Sequence, residues 1–204
     1  MTDKTIFPLF YFGPVSYYSE LIHQQDFVFE INENFRKQTY RNRCYIQGAN
    51  SKLRLAIPIE HDGSRKMRDI KISDSENWRK EHLKSLISAY KSSPYFEFYE
   101  DDLIPVFEKS EQFLIDFNLK TNEFINQKLK LNINIELTDS YSEKTAGTDY
   151  RNQFNSKEIP NPELFPVYTQ VFSERFDFMP DLSILDLLFN EGPKSVEYLK
   201  SLAK

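Results

Sequence analysis

IFPLFYFGPVSYYSELIHQQDFVFEI, residues 6–31, carries two short apolar runs separated by an amphipathic one. Residues 6–12 are typical of a buried strand, and Pro14 suits the first turn of a following helix. Apolar side chains then recur at helical spacing, and residues 27–31 form a second short strand. A strand, a helix and a strand in succession predict an α/β unit.

The rest of the chain continues this alternation of strands and helices. We predict strands over 42–47, 52–59, 131–137 and 167–172, and helices over 78–91, most of 101–131 and 181–189. The helix at 181–189 is apolar nearly all round, which indicates that it is buried. We therefore predict a single domain over residues 1–204, of α/β class, with a mixed, mainly central β-sheet flanked by helices.

Residues 138–163 are strongly polar and have few large apolar side chains. A connection of this length without regular structure is usually a lid, a binding loop or a disordered segment. We expect 138–163 to be a flexible or lid-like segment of the same domain.

The composition excludes several classes of protein. The formal net charge is −5, whereas proteins that bind duplex nucleic acid usually carry a strong basic excess, so nucleic acid is not an expected partner. No apolar run approaches the roughly 20 residues that span a bilayer, and the first residues lack the pattern of a secretory signal. The chain has one cysteine, which suits a reducing compartment. We expect a cytoplasmic protein.

Charge is distributed unevenly along the chain. Residues 35–91 hold 14 Lys and Arg against six Asp and Glu, whereas the remainder is acidic. This asymmetry points to a small-molecule anionic ligand near the basic third, such as a sugar nucleotide or an acyl donor. The alternative is that the basic and acidic segments pair with each other across the fold.

The densest group of polar side chains surrounds the third predicted strand. Arg41 and Arg43 point to the same face of that strand, and two guanidiniums on one face suit a carboxylate or a phosphate. The alternative is a solvated basic edge that discourages strand aggregation. We favour Arg43 over Arg41 as the ligand-binding residue.

Two further candidates lie on predicted helices. Asp186 interrupts the most apolar helix, where a buried carboxylate needs a partner, and Asn190 lies one turn later on the same face. An ion pair that merely fixes the helix is an equal alternative. His82 lies on the apolar face of the helix at 78–91, so it is either a core residue or a general acid or base.

Other kinds of chemistry find no support in the sequence. The three histidines and Cys44 show no metal-ligand spacing, so we predict no metal site. The phosphate-binding and dinucleotide-binding glycine motifs are absent, and we predict no cofactor.

Several stretches together resemble one protein family. They occur in this order in the chain: Tyr17-Tyr18, Asp26-Phe27-Val28, Tyr40-Arg41-Asn42-Arg43, Leu55-Ala56-Ile57-Pro58-Ile59, Trp78-Arg79-Lys80-Glu81-His82, Tyr90-Lys91-Ser92-Ser93-Pro94-Tyr95-Phe96 and Leu182-Ser183-Ile184-Leu185-Asp186-Leu187-Leu188-Phe189-Asn190-Glu191-Gly192. This series is similar to that of the WbqC-like proteins. The family commonly begins with a Gln-Pro pair, where this chain has Leu9-Phe10.

The resemblance implies a link to O-antigen or other surface-polysaccharide biosynthesis, with an acyl- or aminoacyl- (glycyl-) transferase acting on an activated sugar. The alternative is a non-catalytic binding or assembly module for an anionic sugar nucleotide or a partner enzyme, so whether the chain is an enzyme stays open. The family pattern carries over to Asn42, Arg43, His82, Tyr90, Asp186 and Asn190. We expect His82 and Asp186 to be catalytic, and Asn42, Arg43, Tyr90 and Asn190 to bind the substrate.

Overall fold

The computed structural model describes residues 4–24, 26–108 and 111–202. The strands are β1 (Thr5–Pro8), β2 (Phe27–Glu30), β3 (Arg43–Gln47) and β4 (Lys52–Ala56). The helices are α1 (Val15–His23), α2 (Trp78–Tyr90), α3 (Phe96–Glu108), α4 (Leu114–Leu129), α5 (Ile184–Glu191) and α6 (Ser195–Leu202). Short 3₁₀ turns lie at Met67–Asp69, Pro162–Leu164 and Gly192–Lys194.

β1, α1 and β2 form the expected strand–helix–strand unit. The two strands pair in parallel, with Ile6 opposite Val28. Two more passages of the chain add single parallel bridges, one between Phe29 and Leu137 and one between Ile6 and Asp149. The four passages therefore run in the same direction, and their carboxyl ends meet along one side of the sheet, which we call the carboxyl edge.

β3 and β4 form a separate antiparallel hairpin, as the sequence predicts. The turn is closed by Gly48, whose N–H donates to the carbonyl of Ser51 at 2.9 Å. β4 ends at Ala56, before the predicted residue 59, because Pro58 has no N–H to continue the ladder.

The α/β class is confirmed, but the sheets are smaller than expected, with two strands each. Residues 131–137 keep the alternating exposure of a strand, yet only Leu137 pairs. The reason is visible at Ile133, whose N–H and carbonyl both bond to the side-chain amide of Asn126 in α4, at 3.0 and 2.9 Å. The Asn126 side chain therefore occupies the backbone groups of Ile133 that a neighbouring strand would need for pairing.

The predicted strand at 167–172 is wrong. Its backbone bonds to a side chain and to the turn that follows instead: Phe172 N–H donates to Gln47 Oε1 at 3.3 Å, and the Gln170 carbonyl accepts from Ser173 N–H at 3.1 Å. The amide of Gln170 in turn bonds both backbone groups of Met179, at 2.9 and 3.0 Å. The helix predicted over most of 101–131 is two helices, α3 and α4.

α5 lies in the middle of the core, as its apolar sequence predicts. Every residue from 184 to 190 is buried, and the helix packs against α1, α3, α6 and β3. Ser183 caps it by accepting a hydrogen bond from Leu185 N–H at 3.3 Å. The burial of α5 forces Asp186 and Asn190 into the interior.

Candidate functional site

A groove of about 390 Å³ crosses one face of the parallel sheet. Ile6 and Val28, which are register partners, lie in its floor, and residues 138–142 form one wall. Lys4, which precedes β1, also lines the groove, so the groove lies over the first half of the two strands, and Thr138 in its wall leads toward their carboxyl ends.

Glu30 ends β2 at the carboxyl edge and is fully buried. Because side chains alternate along a strand, Glu30 lies on the same face as Val28 in the groove floor. Its Oε1 accepts hydrogen bonds from Thr138 Oγ1 at 2.8 Å and from Asn32 N–H at 2.7 Å. Its Oε2 has no hydrogen-bond partner and lies 3.6 Å from Arg151 Nη1.

Arg151 joins the groove to the strand passage at Asp149. Its Nε and Nη2 donate to the two oxygens of Asp149, at 2.9 and 2.6 Å, and this pairing lowers the pKa of Asp149. Nη1 donates to the carbonyl of Ser142 at 2.8 Å, and the guanidinium lies 5.0 Å from the centre of the Tyr141 ring. The half-exposed ring of Tyr141 therefore lines the groove and packs on the guanidinium of Arg151, which its hydrogen bonds hold in place.

A second buried ion pair, between Arg41 and Glu33, lies beside the pair that Arg151 forms with Glu30. Arg41 Nε and Nη2 are 2.8 and 2.6 Å from Glu33 Oε1, and Nη2 also donates to the carbonyl of Arg151 at 3.1 Å. Burial raises the pKa of Glu33, an effect that Arg41 opposes, and Glu33 Oε2 has no hydrogen-bond partner. We call Glu30, Glu33, Arg41, Asp149 and Arg151 the ion-pair cluster.

Sequence reasoning missed most of this cluster. It considered Arg41 but favoured Arg43, and it did not single out Glu30, Glu33 or Arg151. A signal was present at Glu30, a carboxylate ending the apolar run 27–29, since the strand ends of a parallel sheet are where polar groups collect. The pairing of Glu30 with Arg151, about 120 positions later in the chain, could not be predicted from the sequence.

The structure brings Tyr90, Asp186 and Asn190 together. Asp186 Oδ1 accepts from Tyr90 Oη at 2.8 Å, and Oδ2 accepts from Tyr168 Oη at 2.6 Å and Gln170 Nε2 at 2.8 Å. Asn190 Nδ2 donates to the Asp186 carbonyl at 2.8 Å. Burial raises the pKa of Asp186, and the three side-chain hydrogen bonds oppose that shift. Both carboxylate oxygens are therefore satisfied inside the protein.

In the part of the chain that the structure describes, no hydrogen bond or ion pair joins His82 to this group; its side chain extends from α2 toward the β3–β4 hairpin. Its Nδ1 is 2.9 Å from Tyr11 Oη, and it also bonds to the backbone of Ala56. Burial lowers the pKa of His82 to about 4, so the ring is neutral at pH 7. Its assignment as a catalytic base stays a prediction.

Asn42 and Arg43 lie at the start of β3. Asn42 Nδ2 donates to the carbonyl of Ile57 at 3.0 Å, and the buried Nε of Arg43 has no hydrogen-bond partner. Gln47, whose backbone reaches Tyr90, is at the other end of β3, about 13 Å along the strand. Within the described residues, no hydrogen bond or ion pair joins Arg43 to Asp186, so their common site is still a hypothesis.

Comparison with known proteins identifies the relatives of this chain. The WbqC-like protein family matches residues 10–157, about three quarters of the sequence. The chain belongs to the WbqC-like protein family. The expected resemblance is confirmed.

One relative of this WbqC-like protein is the Mycobacterium tuberculosis (strain ATCC 25618 / H37Rv) protein named "Uncharacterized protein Rv1507c". The two are 22% identical over 217 residues, which cover 90% of this chain and 91% of the relative. No solved structure matches the chain significantly. The family match contains the whole ion-pair cluster, whereas Asp186 and Asn190 lie beyond its end.

Neither a metal cluster nor a membrane span is found in the described part of the chain. No group of three or more His, Cys, Asp or Glu side chains in ranges 4–24, 26–108 and 111–202 could hold a metal ion. In the same ranges, no helix combines the length and apolar character that crossing a membrane requires.

Proposed function

We propose that this WbqC-like protein binds an anionic activated sugar at the groove and transfers an acyl or aminoacyl group. The observation that carries the proposal is Glu30 Oε2, a fully buried carboxylate oxygen without a hydrogen-bond partner beside the groove. Such an oxygen is costly unless a donor reaches it, and a sugar hydroxyl or amine is such a donor.

The negative part of the ligand belongs at a basic rim, defined by Arg36, Arg65, Lys66 and Arg68. These residues are exposed, and loop 62–68 bonds to the loop that follows β2, as where Phe35 N–H donates to the carbonyl of Arg65 at 2.7 Å. Arg68 Nη1 also donates to Asn32 Oδ1 at 2.8 Å. The rim thus borders the ion-pair cluster and suits a phosphate.

The proposed reaction uses Glu30 as the proton acceptor. A hydroxyl or amine of the sugar attacks the carbonyl carbon of an activated ester or thioester, so that a new C–O or C–N bond forms. The C–O or C–S bond to the donor's leaving group breaks, and the proton passes through Glu30 to that leaving group. Residues 138–163 close over the ligand, with Tyr141 stacked on it.

The resemblance adds the biological setting to the proposal. We place the acceptor sugar among the precursors of O-antigen or another surface polysaccharide, assembled in the cytoplasm.

Non-catalytic binding of an anionic sugar nucleotide, or of a partner enzyme, is the second candidate function. It is favoured by the position of Arg151 Nη1, 3.6 Å from Glu30 Oε2. A cation at that distance already compensates the buried carboxylate, so Glu30 can serve as a fixed structural partner and not as a reacting group. Under this alternative the same groove binds the ligand without turnover.

Thermal-shift titrations with UDP-N-acetylglucosamine, UDP-glucose, acetyl-CoA and a glycyl thioester test both functions. A ligand of the native state raises Tm, and mass spectrometry of donor and acceptor mixtures then detects any transferred acyl group. If no member of this set raises Tm or reacts, the proposed ligand class is wrong. Binding without any transfer favours the binding module.

Three variants locate the site once binding or transfer is observed. Tyr141→Ala removes an exposed ring and should weaken binding about tenfold with little change in Tm. Glu30→Gln keeps the acceptor for Thr138 and should retain binding but lower turnover about 100-fold or more. Glu123→Gln, an exposed site on α4, is the control and should change neither.

The sequence-based assignment is tested in the same assay. His82→Gln should leave turnover unchanged if Glu30 is the proton acceptor. A His82→Gln variant that folds, binds ligand and loses turnover, with Glu30→Gln fully active, would overturn the assignment to Glu30.

A further inference from the structure

A second cavity lies near the carboxyl end of the described chain, beyond the residues matched by the family. Its volume is about 580 Å³, within the usual range for small-molecule sites. The walls come from residues 167–170, 173 and 176–178, from Glu191 at the end of α5 and from Tyr198 on α6. None of the proposed group-transfer residues lines it.

Aromatic rings form much of this cavity. The Tyr168 ring centre is 5.1 Å from that of Phe178, at an interplanar angle of 78°, and 5.2 Å from that of Tyr198, at 88°. Phe176 is a further aromatic lining residue. Rings set edge to face at these angles present π faces in different directions, as in the aromatic cages that hold organic cations.

Hydrogen bonds donated by the tyrosine hydroxyls hold two of the rings in place. Tyr168 Oη donates to Asp186 Oδ2 at 2.6 Å, and Tyr198 Oη donates to the carbonyl of Pro166 at 2.7 Å. Tyr168 thus reaches the buried Asp186 carboxylate with its hydroxyl while its ring lines the cavity. A wall fixed before binding costs the ligand little ordering entropy.

The charged side chains that line the cavity have one sign. Asp177 and Glu191 line it, and no lysine or arginine is among its lining residues in the described chain. The exposed Arg175 lies outside the lining, with its guanidinium 5.9 Å from the centre of the Phe176 ring.

We propose that this cavity, which we call the aromatic cage, binds an organic ammonium group. Its π faces attract a cation, its carboxylates supply counter-charges, and its apolar walls accept the alkyl groups on the nitrogen. The ligand class differs from the anionic one proposed for the groove. The two proposals rest on different residues and can fail separately.

Choline and its uncharged carbon analogue, 3,3-dimethylbutan-1-ol, test this proposal because they differ mainly in charge. We expect choline to shift the NMR signals of Tyr168 and Tyr198 and to bind about tenfold more tightly than the alcohol. Equal affinity for the two compounds, or no shift at about 50 mM choline, would overturn the ammonium site.

Variants assign the effect to the cavity. The double variant Asp177→Asn/Glu191→Gln removes both carboxylates from the lining and should weaken choline binding about tenfold. The control double variant Glu174→Gln/Glu197→Gln removes the same charge from residues outside the lining and should change it less than twofold. Equal losses in the two doubles would indicate general electrostatic attraction and overturn the site.

The ring contribution needs its own variant. Tyr198→Leu keeps an apolar side chain but removes one π face, so choline binding should weaken several-fold while binding of the alcohol stays nearly constant. A parallel loss for both compounds would mean that the cavity recognises shape rather than charge, which contradicts the proposal. Thermal unfolding of each variant confirms that the comparison is made on folded protein.

Discussion

The imidazole of His82 lies on the buried face of α2, with the Trp78 ring centre 5.1 Å away and Tyr11 Oη 2.9 Å from Nδ1. The same side chain on a solvated helix would titrate near its ordinary value. Here burial removes the water that would solvate the imidazolium, and the backbone of Ala56 compensates only in part. One residue therefore links the packing of the core to the pH dependence of stability.

We predict that His82 makes the protein less stable in mild acid. Its pKa is about 4 in the folded state and near 6.5 when unfolded, so the unfolded chain takes up the proton first. This contribution is fully present above about pH 6.5 and is lost as pH falls to about 4, by about 3 kcal/mol in total.

Urea unfolding of the wild type and His82→Gln between pH 7.5 and 4 measures this effect. The free energy difference between the two proteins should shrink by about 3 kcal/mol as pH falls. A difference that stays constant with pH would show that the histidine titrates normally.

Among the elements, Gly192 ends α5 and begins the short turn that leads to α6. Its φ is +52° with ψ −123°, a conformation that side chains rarely adopt. A Cβ at this position would lie 2.5 Å from the Tyr95 ring. The turn therefore needs glycine for two reasons, its backbone conformation and its close contact.

Gly192→Ala should destabilise the protein by about 2 kcal/mol or more, because the strain and the clash add. Gly63→Ala is the matched control: Gly63 also has a positive φ, of +90°, but a Cβ added there would have no atom within 4 Å. It should cost about 1 kcal/mol. Urea unfolding of both variants gives the comparison, and equal costs would contradict a role for Tyr95.

The segment 138–163 combines fixed and exposed parts. Tyr150 N–H donates to the carbonyl of Ile6 at 2.8 Å, and its ring stacks on Phe7 at a centre distance of 4.3 Å. By contrast, most of residues 155–163 are exposed. We propose that the segment moves as a lid on both sides of this anchor.

Hydrogen exchange should divide the segment accordingly. The Tyr150 amide should exchange slowly, with residues 139–141 and 155–163 exchanging much faster. Adding whichever nucleotide sugar raises Tm should slow 139–141 selectively, because Tyr141 would then pack on the ligand. Uniform fast exchange over 138–163 would remove Tyr150 as an anchor, and unchanged exchange at 139–141 would contradict closure.

For the whole molecule, the ion-pair cluster joins parts of the chain that are far apart in sequence. Arg41 from the basic third pairs with Glu33 and bonds to the backbone of Arg151. Arg79, also from the basic third, pairs with Glu111 at 3.8 Å, whereas the basic rim is exposed. Ion pairing therefore takes up some of the basic side chains, and the anionic ligand stays a prediction.

We predict that Glu33 and Arg41 are strongly coupled. Arg41→Met alone should destabilise by about 3–5 kcal/mol, because it leaves a buried carboxylate uncompensated. Glu33→Met/Arg41→Met should cost clearly less than the sum of the two single variants. The exposed pair Lys4 and Asp26, 2.9 Å apart, is the control and should show a coupling below about 1 kcal/mol. Additive costs at Glu33 and Arg41 would contradict the coupling.

The candidate site was predictable only in part. Asp186 stood out because a carboxylate in an apolar helix needs partners, and the structure supplies Tyr90, Tyr168 and Gln170. Tyr168 was not predictable as a partner, because nothing local indicates which loop residue reaches α5. Glu30 was overlooked for the same reason, since its importance depends on which strands lie beside β2.

Local patterns in the sequence were enough to predict the β1–α1–β2 unit, the β3–β4 hairpin, the buried character of α5, the α/β class and the family, but not the absence of strands at 131–137 and 167–172. Those features follow from apolar spacing, turn residues and short motifs, which act over a few positions. Only the tertiary structure decided which strand ends meet, which arginine faces which carboxylate, and which oxygen of Glu30 is left without a donor. Burial and long-range contacts set these outcomes, because charge pairing and desolvation depend on neighbours in space and not on neighbours in sequence.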